Sequence, residues 1–236
     1  MAHDLVIRNG SVIDGTGAPR VTADVGIRDG RIVEIGTLTT VPTKERVDAR
    51  GLVVAPGFID VHTHADDIAD HPQAENFAQM GVTTIVAGNC GSSAPDISDA
   101  FDRIRAIGIS INYATLIGHN TVRETVMGSD NRLPRMDELH RMKALVFKAM
   151  VDGAVGFSTG LQYVPGTYAK SNEITELARV AGNEGGVYAT HMRNEGTALE
   201  AAVKESITVA RLTDAPLEIS HLKIDSPSQW GRTSAV

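Results

Sequence analysis

Six short apolar runs, each followed by a polar or amphipathic stretch, constrain the fold of this chain more than any other feature. The runs are rich in β-branched residues and recur about every 25 to 40 residues, which is typical of repeated βα units. They are FIDVHTH, TTIVAGNC, INYATLIGHN, GAVGFSTG, GGVYATH and PLEISHLK. Their near-continuous apolar character fits parallel strands that are buried on both faces. The pattern predicts an α/β fold with a parallel sheet.

Helix-like segments between the runs support this prediction. The clearest amphipathic stretches cover residues 136–153 and 198–214. A third, at 171–186, has Ser171 and Glu173 near its start and glycines at its end, which predicts a capping box.

Repeated βα units build either an open doubly wound sheet or a (β/α)8 barrel. The chain has neither a G-x-G-x-x-G fingerprint after its first strand nor a G-x-x-x-x-G-K-[ST] loop. Polar residues stand instead at the carboxyl end of strand after strand, where barrels keep their active sites. We therefore predict a TIM-type (β/α)8 barrel over residues 56–236. A barrel needs eight strands and six are found, so we expect it to be truncated by about 60 residues or more.

The first 55 residues have a different texture. LVIRNG, VGIRDGRIVEIG and GLVVAPG are β-branched runs joined by tight turns, and Asp29-Gly30 is a strong hairpin signal. No helical pattern interrupts them. Residues 1–55 are therefore predicted to form a separate small β domain.

Composition limits the cellular locations and the classes of binding partner that fit this chain. The net charge of −7 argues against a nucleic-acid or anionic-membrane partner, since both need clustered Lys and Arg. The N-terminus lacks the pattern of a signal peptide, and no apolar run approaches the roughly 18 residues of a membrane span. Cys90 is the only cysteine, which excludes an intrachain disulfide. We expect a cytoplasmic location.

The polar residues at the strand ends are the main functional signal. Five of the eight histidines and the only cysteine occupy equivalent positions of the repeated unit. His62 and His64 end the first strand, Cys90 the second, His119 the third, His191 the fifth, and His221 followed by Lys223 the sixth. In a barrel these positions converge on one mouth. The sequence therefore predicts a metal site there.

Imidazole combined with thiolate or carboxylate suits Zn²⁺ best, while Fe, Mn and Co stay open. More than four candidate ligands converge, so a two-metal site with a bridging thiolate or carboxylate is feasible. The fourth run ends in GFSTG without lysine or carboxylate, which makes Cys90 the candidate bridge. Asp60 is the best candidate for a contact that orients a ligand histidine. Asp66 and Asp67 are expected to be solvated loop residues.

Six motifs, in order along the chain, resemble those of the amidohydrolase superfamily and, within it, the D-aminoacylase branch, the N-acyl-D-amino-acid deacylases. The motifs are GFIDVHTHADD, VAGNCG, IGHNTVR, GFSTGLQYVPG, YATHMRNEG and ISHLKI. The resemblance runs from about Leu5 to the last residue and includes the unusual N-C-G after the second strand. It implies that residues 1–55 are the N-terminal part of a small β-sandwich domain. It also implies that the chain is an N-terminal fragment of a longer protein.

Site roles follow from the same resemblance. It implies that Cys90, His191 and His221 hold a tightly bound zinc ion, and that His62 and His64 serve a second, weaker site. Lys223 would face the substrate, Tyr163 would line its acyl or side-chain pocket, and His119 would stand behind the ligands. The catalytic aspartate comes from the eighth strand, beyond residue 236, so the catalytic residue is unknown in this chain.

The activity implied is hydrolysis of the amide bond of a small N-acyl-D-amino acid by a zinc-activated water, giving a D-amino acid and a carboxylic acid. The preferred side chain, the metal count and the oligomeric state stay open. One alternative is a cyclic amidase of the hydantoinase or dihydroorotase kind, whose members usually carry a carbamylated lysine at the end of strand four. The other is a truncated, non-catalytic metal-binding remnant, and we expect the 236-residue chain by itself to be inactive.

Overall fold

The computed structural model describes residues 2–232. Contacts divide the chain into two compact units, with the boundary between Gly57 and Phe58. Residues 233–236, which the sequence assigns to the second domain, lie outside the described residues.

The first unit is a five-stranded sheet. Its strands are β1 (His3–Val12), β2 (Val21–Arg28), β3 (Arg31–Gly36), β4 (Thr43–Asp48) and β5 (Val53–Val54). The order is β3-β2-β1-β4, with β5 also on β1. β1–β2 and β2–β3 are antiparallel, while β4 and β5 run parallel to β1. Asp29 and Gly30 both have positive φ, 51° and 70°, as the tight β2–β3 hairpin requires, so the predicted turn is confirmed. The β-sandwich stays a prediction.

The second unit contains the six predicted barrel strands, all parallel and adjacent in chain order. They are β6 (Phe58–Asp60), β7 (Val82–Ala87), β8 (Asn112–Thr115) with its continuation β9 (Ile117–Gly118), β10 (Gly156–Gly160), β11 (Val187–His191) and β12 (Leu217–Ile219). β8 pairs with β7 and β9 with β10, so the third strand links two runs of the sheet across Leu116. The strand order confirms the α/β barrel architecture.

Helices follow the barrel strands and cover the sheet. They are α1 (Glu75–Gln79), α2 (Ile97–Ile107), α3 (His119–Met127), α4 (Met136–Val151), α5 (Ser171–Asn183) and α6 (Leu199–Thr213). In α5 the residues Ile174, Leu177, Ala178 and Ala181 recur at helical spacing and are all buried. They pack in one core with Phe157 and other apolar residues of the strands and helices. This packing fixes the helices on the outer face of the sheet.

Two local predictions are wrong. The first barrel strand ends at Asp60, so His62 and His64 lie in the segment after it rather than on it. The capping box of α5 does not form: Ser171 donates from Oγ to Glu205, and the Glu173 side chain is buried in an ion pair with Arg123. Both side chains therefore bond to residues of other helices rather than to the backbone at the start of α5. Within residues 2–232, no helix combines the length and apolar character that crossing a membrane would need.

Candidate metal centre

The predicted ligands come from the carboxyl ends of four barrel strands. His62 follows β6, Cys90 lies in the turn after β7, and His191 is the last residue of β11. His221 follows the short β12 and has a φ of 39°. Because parallel strands end at the same rim, residues far apart in sequence meet there.

Three imidazole nitrogens surround the Cys90 sulfur. His62 Nε2 and His191 Nδ1 each lie 3.7 Å from Cys90 Sγ, and His221 Nε2 lies 3.8 Å away. A tetrahedral zinc ion with ordinary Zn–S and Zn–N bonds would separate a sulfur from a nitrogen ligand by about 3.6 Å. Each of the three imidazole nitrogens, taken singly, therefore has the spacing from Cys90 Sγ that a shared tetrahedral ion would require.

The chemistry of these groups also fits a metal. Burial raises the pKa of the Cys90 thiol to about 11. Burial likewise lowers the pKa of His62 and His191, which keeps both rings neutral and able to donate a lone pair. The buried atoms His62 Nδ1 and His191 Nε2 have no hydrogen-bond partner. A zinc-type ion would complete this set, because the neutral imidazoles offer lone pairs and the thiol would release its proton on binding.

Two groups of potential ligand atoms are compact, each with all its atoms within 4.8 Å of one another. One consists of His62, Cys90 and His221, and the other of His191, Glu195 and His221. His221 belongs to both. His62 is therefore as close to Cys90 as His191 is, although the resemblance implies a place for His62 in the weaker site.

Glu195 is a functional candidate that the sequence reasoning missed. Its side chain is only 3% exposed, and its carboxylate lies 2.8 Å from His221 Nδ1 and 3.8 Å from His191 Nε2. A buried carboxylate needs such cationic or hydrogen-bonding neighbours. The available signal was its position four residues after His191, inside the quoted motif YATHMRNEG.

The two predicted substrate-binding residues lie beside the cluster. Lys223 Nζ donates to Glu195 Oε2 at 2.5 Å and lies 3.1 Å from His221 Nδ1. Its side chain is 49% exposed, so it can still meet a ligand. Tyr163 places its hydroxyl 3.3 Å from His191 Nδ1. Both side chains reach the mouth without being buried in it.

His64 is brought to the edge of the cluster. Its ring lies 5.3 Å from that of His62, it is exposed, and it belongs to neither compact group of described residues. Asp60 Oδ1 accepts a hydrogen bond from the His62 backbone N–H rather than from its ring. Asp66 is not merely solvated, because its Oδ1 accepts from the Gly88 N–H and thereby ties two strand ends together.

His119 does not join the metal centre. It is the first residue of α3, fully buried, and its Nε2 lies 2.9 Å from Glu173 Oε1. Arg123 donates from Nη1 to both oxygens of the same carboxylate at 2.7 Å. His119 therefore belongs to a buried ion-pair network between α3 and α5, and its equivalent position along the chain was misleading.

Comparison with known proteins agrees with this geometry. The model of the Amidohydrolase family matches residues 45–235, and that of the urease alpha-subunit N-terminal domain matches residues 1–58. The chain is 42% identical to an N-acyl-D-glutamate deacylase and 38% identical to a D-aminoacylase, both from Alcaligenes xylosoxydans xylosoxydans. Each alignment covers 98% of this chain and 52% of the relative, so the chain spans about half the length of these curated relatives.

A solved structure matches as well. It is the N-acyl-D-glutamate deacylase of Bordetella bronchiseptica, complexed with zinc and a phosphonate inhibitor that mimics the tetrahedral intermediate of the reaction. The TM-score is 0.96 at 40% identity, covering 100% of this chain and 54% of that one. With six parallel strands, candidate ligand residues at their carboxyl ends and a family match over most of its length, this chain belongs to the amidohydrolase family.

Proposed function

We propose that the protein is a zinc-dependent hydrolase that cleaves the amide bond of N-acyl-D-amino acids. The observation that carries this proposal is the arrangement of three imidazole nitrogens at 3.7–3.8 Å from the Cys90 sulfur. The substrate class is supported by the relatives that match nearly the whole chain, which are named for deacylation of N-acyl-D-glutamate and for D-aminoacylase activity.

Cys90, His191 and His221 are the proposed ligands of the tightly held zinc ion, with His62 and His64 serving a second, weaker site. When bound, zinc supplies a Lewis acid for the acyl carbonyl and lowers the pKa of the water that attacks it. His62 Nε2 and His191 Nδ1 are equally far from Cys90 Sγ, so Cys90 would be available as a ligand to both sites.

The surrounding residues hold and orient the substrate in this proposal. Lys223, anchored by Glu195, presents a positive charge beside the ligands for the substrate carboxylate or the scissile carbonyl. Tyr163 stands on the other side of His191 and lines the acyl or side-chain pocket. The proton carrier, an aspartate expected beyond residue 236, stays a prediction, as do the cytoplasmic location and the absence of nucleic-acid and membrane partners.

The cyclic-amidase alternative is disfavoured by the end of β10. A Cβ placed on Gly160 would lie 2.0 Å from the Cys90 carbonyl oxygen and 2.8 Å from the Tyr163 ring. No side chain fits at that position, and the Cys90 turn occupies the space instead. A lysine ligand at the last residue of this strand is therefore excluded by packing.

The test is hydrolysis of an N-acetyl-D-amino acid, of its L enantiomer and of a hydantoin by the zinc-loaded protein, extended to include the aspartate expected beyond residue 236. The proposal predicts release of the D-amino acid only. His221→Ala should abolish both zinc binding and turnover, whereas His140→Ala, which removes an exposed histidine of α4, should change neither. Hydrolysis of the hydantoin alone would establish the cyclic amidase, and zinc binding with no turnover of any substrate would favour the non-catalytic remnant.

A further inference from the structure

The backbone that carries Cys90 is held in an unfavourable conformation. Residues 89–92 form a tight turn in which the Ser92 N–H donates to the Asn89 carbonyl at 3.1 Å. Both central residues have positive φ, 53° at Cys90 and 79° at Gly91. Glycine adopts this region freely, but a cysteine does so at a cost. The surroundings must therefore keep Cys90 in the conformation that aims its sulfur at the histidines.

One hydroxyl from a different strand bonds both sides of this turn. Ser158, in the middle of β10, is fully buried. Its Oγ accepts from the Gly91 N–H at 3.0 Å and donates to the Gly88 carbonyl at 2.5 Å. The hydroxyl therefore bridges the residue after Cys90 to the residue two positions before it.

Other contacts hold the turn in the fold without bridging it. Asp66 Oδ1 accepts from the Gly88 N–H at 3.1 Å, and the Gly91 carbonyl accepts from the Asn120 N–H at 2.8 Å. Because these bonds do not depend on Ser158, the turn stays attached to the barrel when the hydroxyl is removed. The Gly91 N–H would then lose its only hydrogen-bond acceptor in the described structure, and the rotation of the Cys90 peptide units would be less restricted.

We infer that Ser158 is a positioning residue for the metal centre, which fixes the direction of the Cys90 sulfur by bridging Gly88 and Gly91. This inference rests on the proposed metal site. Removing a group that orients a metal ligand without touching the metal typically weakens metal binding roughly 10- to 100-fold. Ser158→Ala should therefore weaken metal binding while leaving the barrel folded.

Thr159 offers a matched control on the same strand. It is equally buried, but its Oγ1 bonds Thr190 Oγ1 at 2.7 Å and the Tyr188 hydroxyl at 3.2 Å, not the Cys90 turn. Thr159→Val removes a buried hydroxyl at nearly constant volume. Thr159→Val therefore measures how much the loss of a buried hydroxyl in β10 affects metal binding in general.

The experiment strips the metal from the protein and titrates Co²⁺ into wild type, Ser158→Ala and Thr159→Val, following the thiolate-to-cobalt charge-transfer absorption. We expect Ser158→Ala to bind Co²⁺ roughly 10- to 100-fold more weakly and with a reduced charge-transfer band. Thr159→Val should match wild type in both, and circular dichroism should show all three folded.

Equal affinity and equal absorption in Ser158→Ala and wild type would overturn the inference, as would equal losses in both variants. If Ser158→Ala does not fold, Ser158→Thr, which keeps a hydroxyl, is the deciding variant. A folded Ser158→Thr with the wild-type band supports the inference, while a weakened band or failure to fold refutes it. Absence of Co²⁺ binding in the wild type would instead refute the metal centre itself.

Discussion

The buried ion pair between Arg123 and Glu173 makes a sharp stability prediction. Arg123 is 0% exposed and the Glu173 side chain 2%, and the carboxylate accepts two bonds at 2.7 Å from Arg123 Nη1 and one from His119. The other end of the guanidinium donates to the carbonyl oxygens of Asp130 and Arg132. The Arg123 guanidinium thus connects α3 to α5 and to the loop that follows α3.

Glu173→Gln keeps the shape of the side chain but removes its charge, which leaves the Arg123 guanidinium buried without a counter-ion. Breaking one partner of a buried pair costs about 3–5 kcal/mol of unfolding free energy. With a urea dependence of about 1–3 kcal/mol per molar, the midpoint of unfolding should fall by about 2 M. Far-UV circular dichroism measures this in the relevant unit, because the six helices of the described residues all lie after Gly57.

Glu176→Gln is the matched control on the same helix. Glu176 pairs with Lys143 at 2.8 Å and with Arg179 at 2.5 Å, but its side chain is 37% exposed. Solvent screens such a pair, so the change should cost less than about 1 kcal/mol. A loss at Glu173 no larger than the loss at Glu176 would refute the reasoning that burial makes the Glu173 charge indispensable.

The same pair predicts a pH dependence. Burial opposes ionisation of Glu173, but hydrogen bonds from His119 and Arg123 outweigh it and hold the pKa of the carboxyl below its usual value. A carboxyl whose folded pKa is lowered stabilises the fold above its unfolded pKa, about 4.3, and this contribution is lost as the pH falls through the folded pKa. The difference between wild type and Glu173→Gln should therefore be constant above about pH 5 and narrow below pH 4. A difference that widens in acid would contradict this sign.

Three further predictions concern the metal centre. Gly160→Ala should prevent stoichiometric zinc binding, because the new Cβ would lie 2.0 Å from the Cys90 carbonyl oxygen. Gly36→Ala, which has open space around the added Cβ, should bind zinc normally. Metal analysis after gel filtration distinguishes the two variants. In the protein extended to include the expected aspartate, Glu195→Gln should raise KM more than it lowers kcat, since Lys223 loses the carboxylate that anchors it; an unchanged KM would show that substrate binding does not depend on this anchor. In the metal-free protein, with the pKa of Cys90 raised to about 11, the rate of alkylation should rise about tenfold per pH unit from pH 7 to 10, and zinc should suppress it.

Local sequence pattern determined the strands, their order and most of the candidate site. Buried parallel strands need continuous apolar residues, and the repeat places the residues that follow them on one rim. His62, Cys90, His191 and His221 could therefore be predicted to meet without any knowledge of their contacts. The helical spacing of buried residues likewise predicted α4, α5 and α6 to within about three residues at each end.

The repeat grouped His119 with the other strand-end histidines and the family resemblance placed it behind the ligands, but only the tertiary structure showed which group binds it. Its position along the chain is equivalent to theirs, but the carboxylate of Glu173, 54 residues away in sequence, binds its ring. Glu195 was overlooked because a glutamate in a loop normally remains solvated, and its place four residues after His191 does not by itself show that it is buried against His221 and Lys223. Periodicity and composition determine the position of a residue within its strand, helix or loop. Its ionic and hydrogen-bond partners come from residues distant in sequence that folding brings together. These partners could therefore be identified only from the tertiary structure.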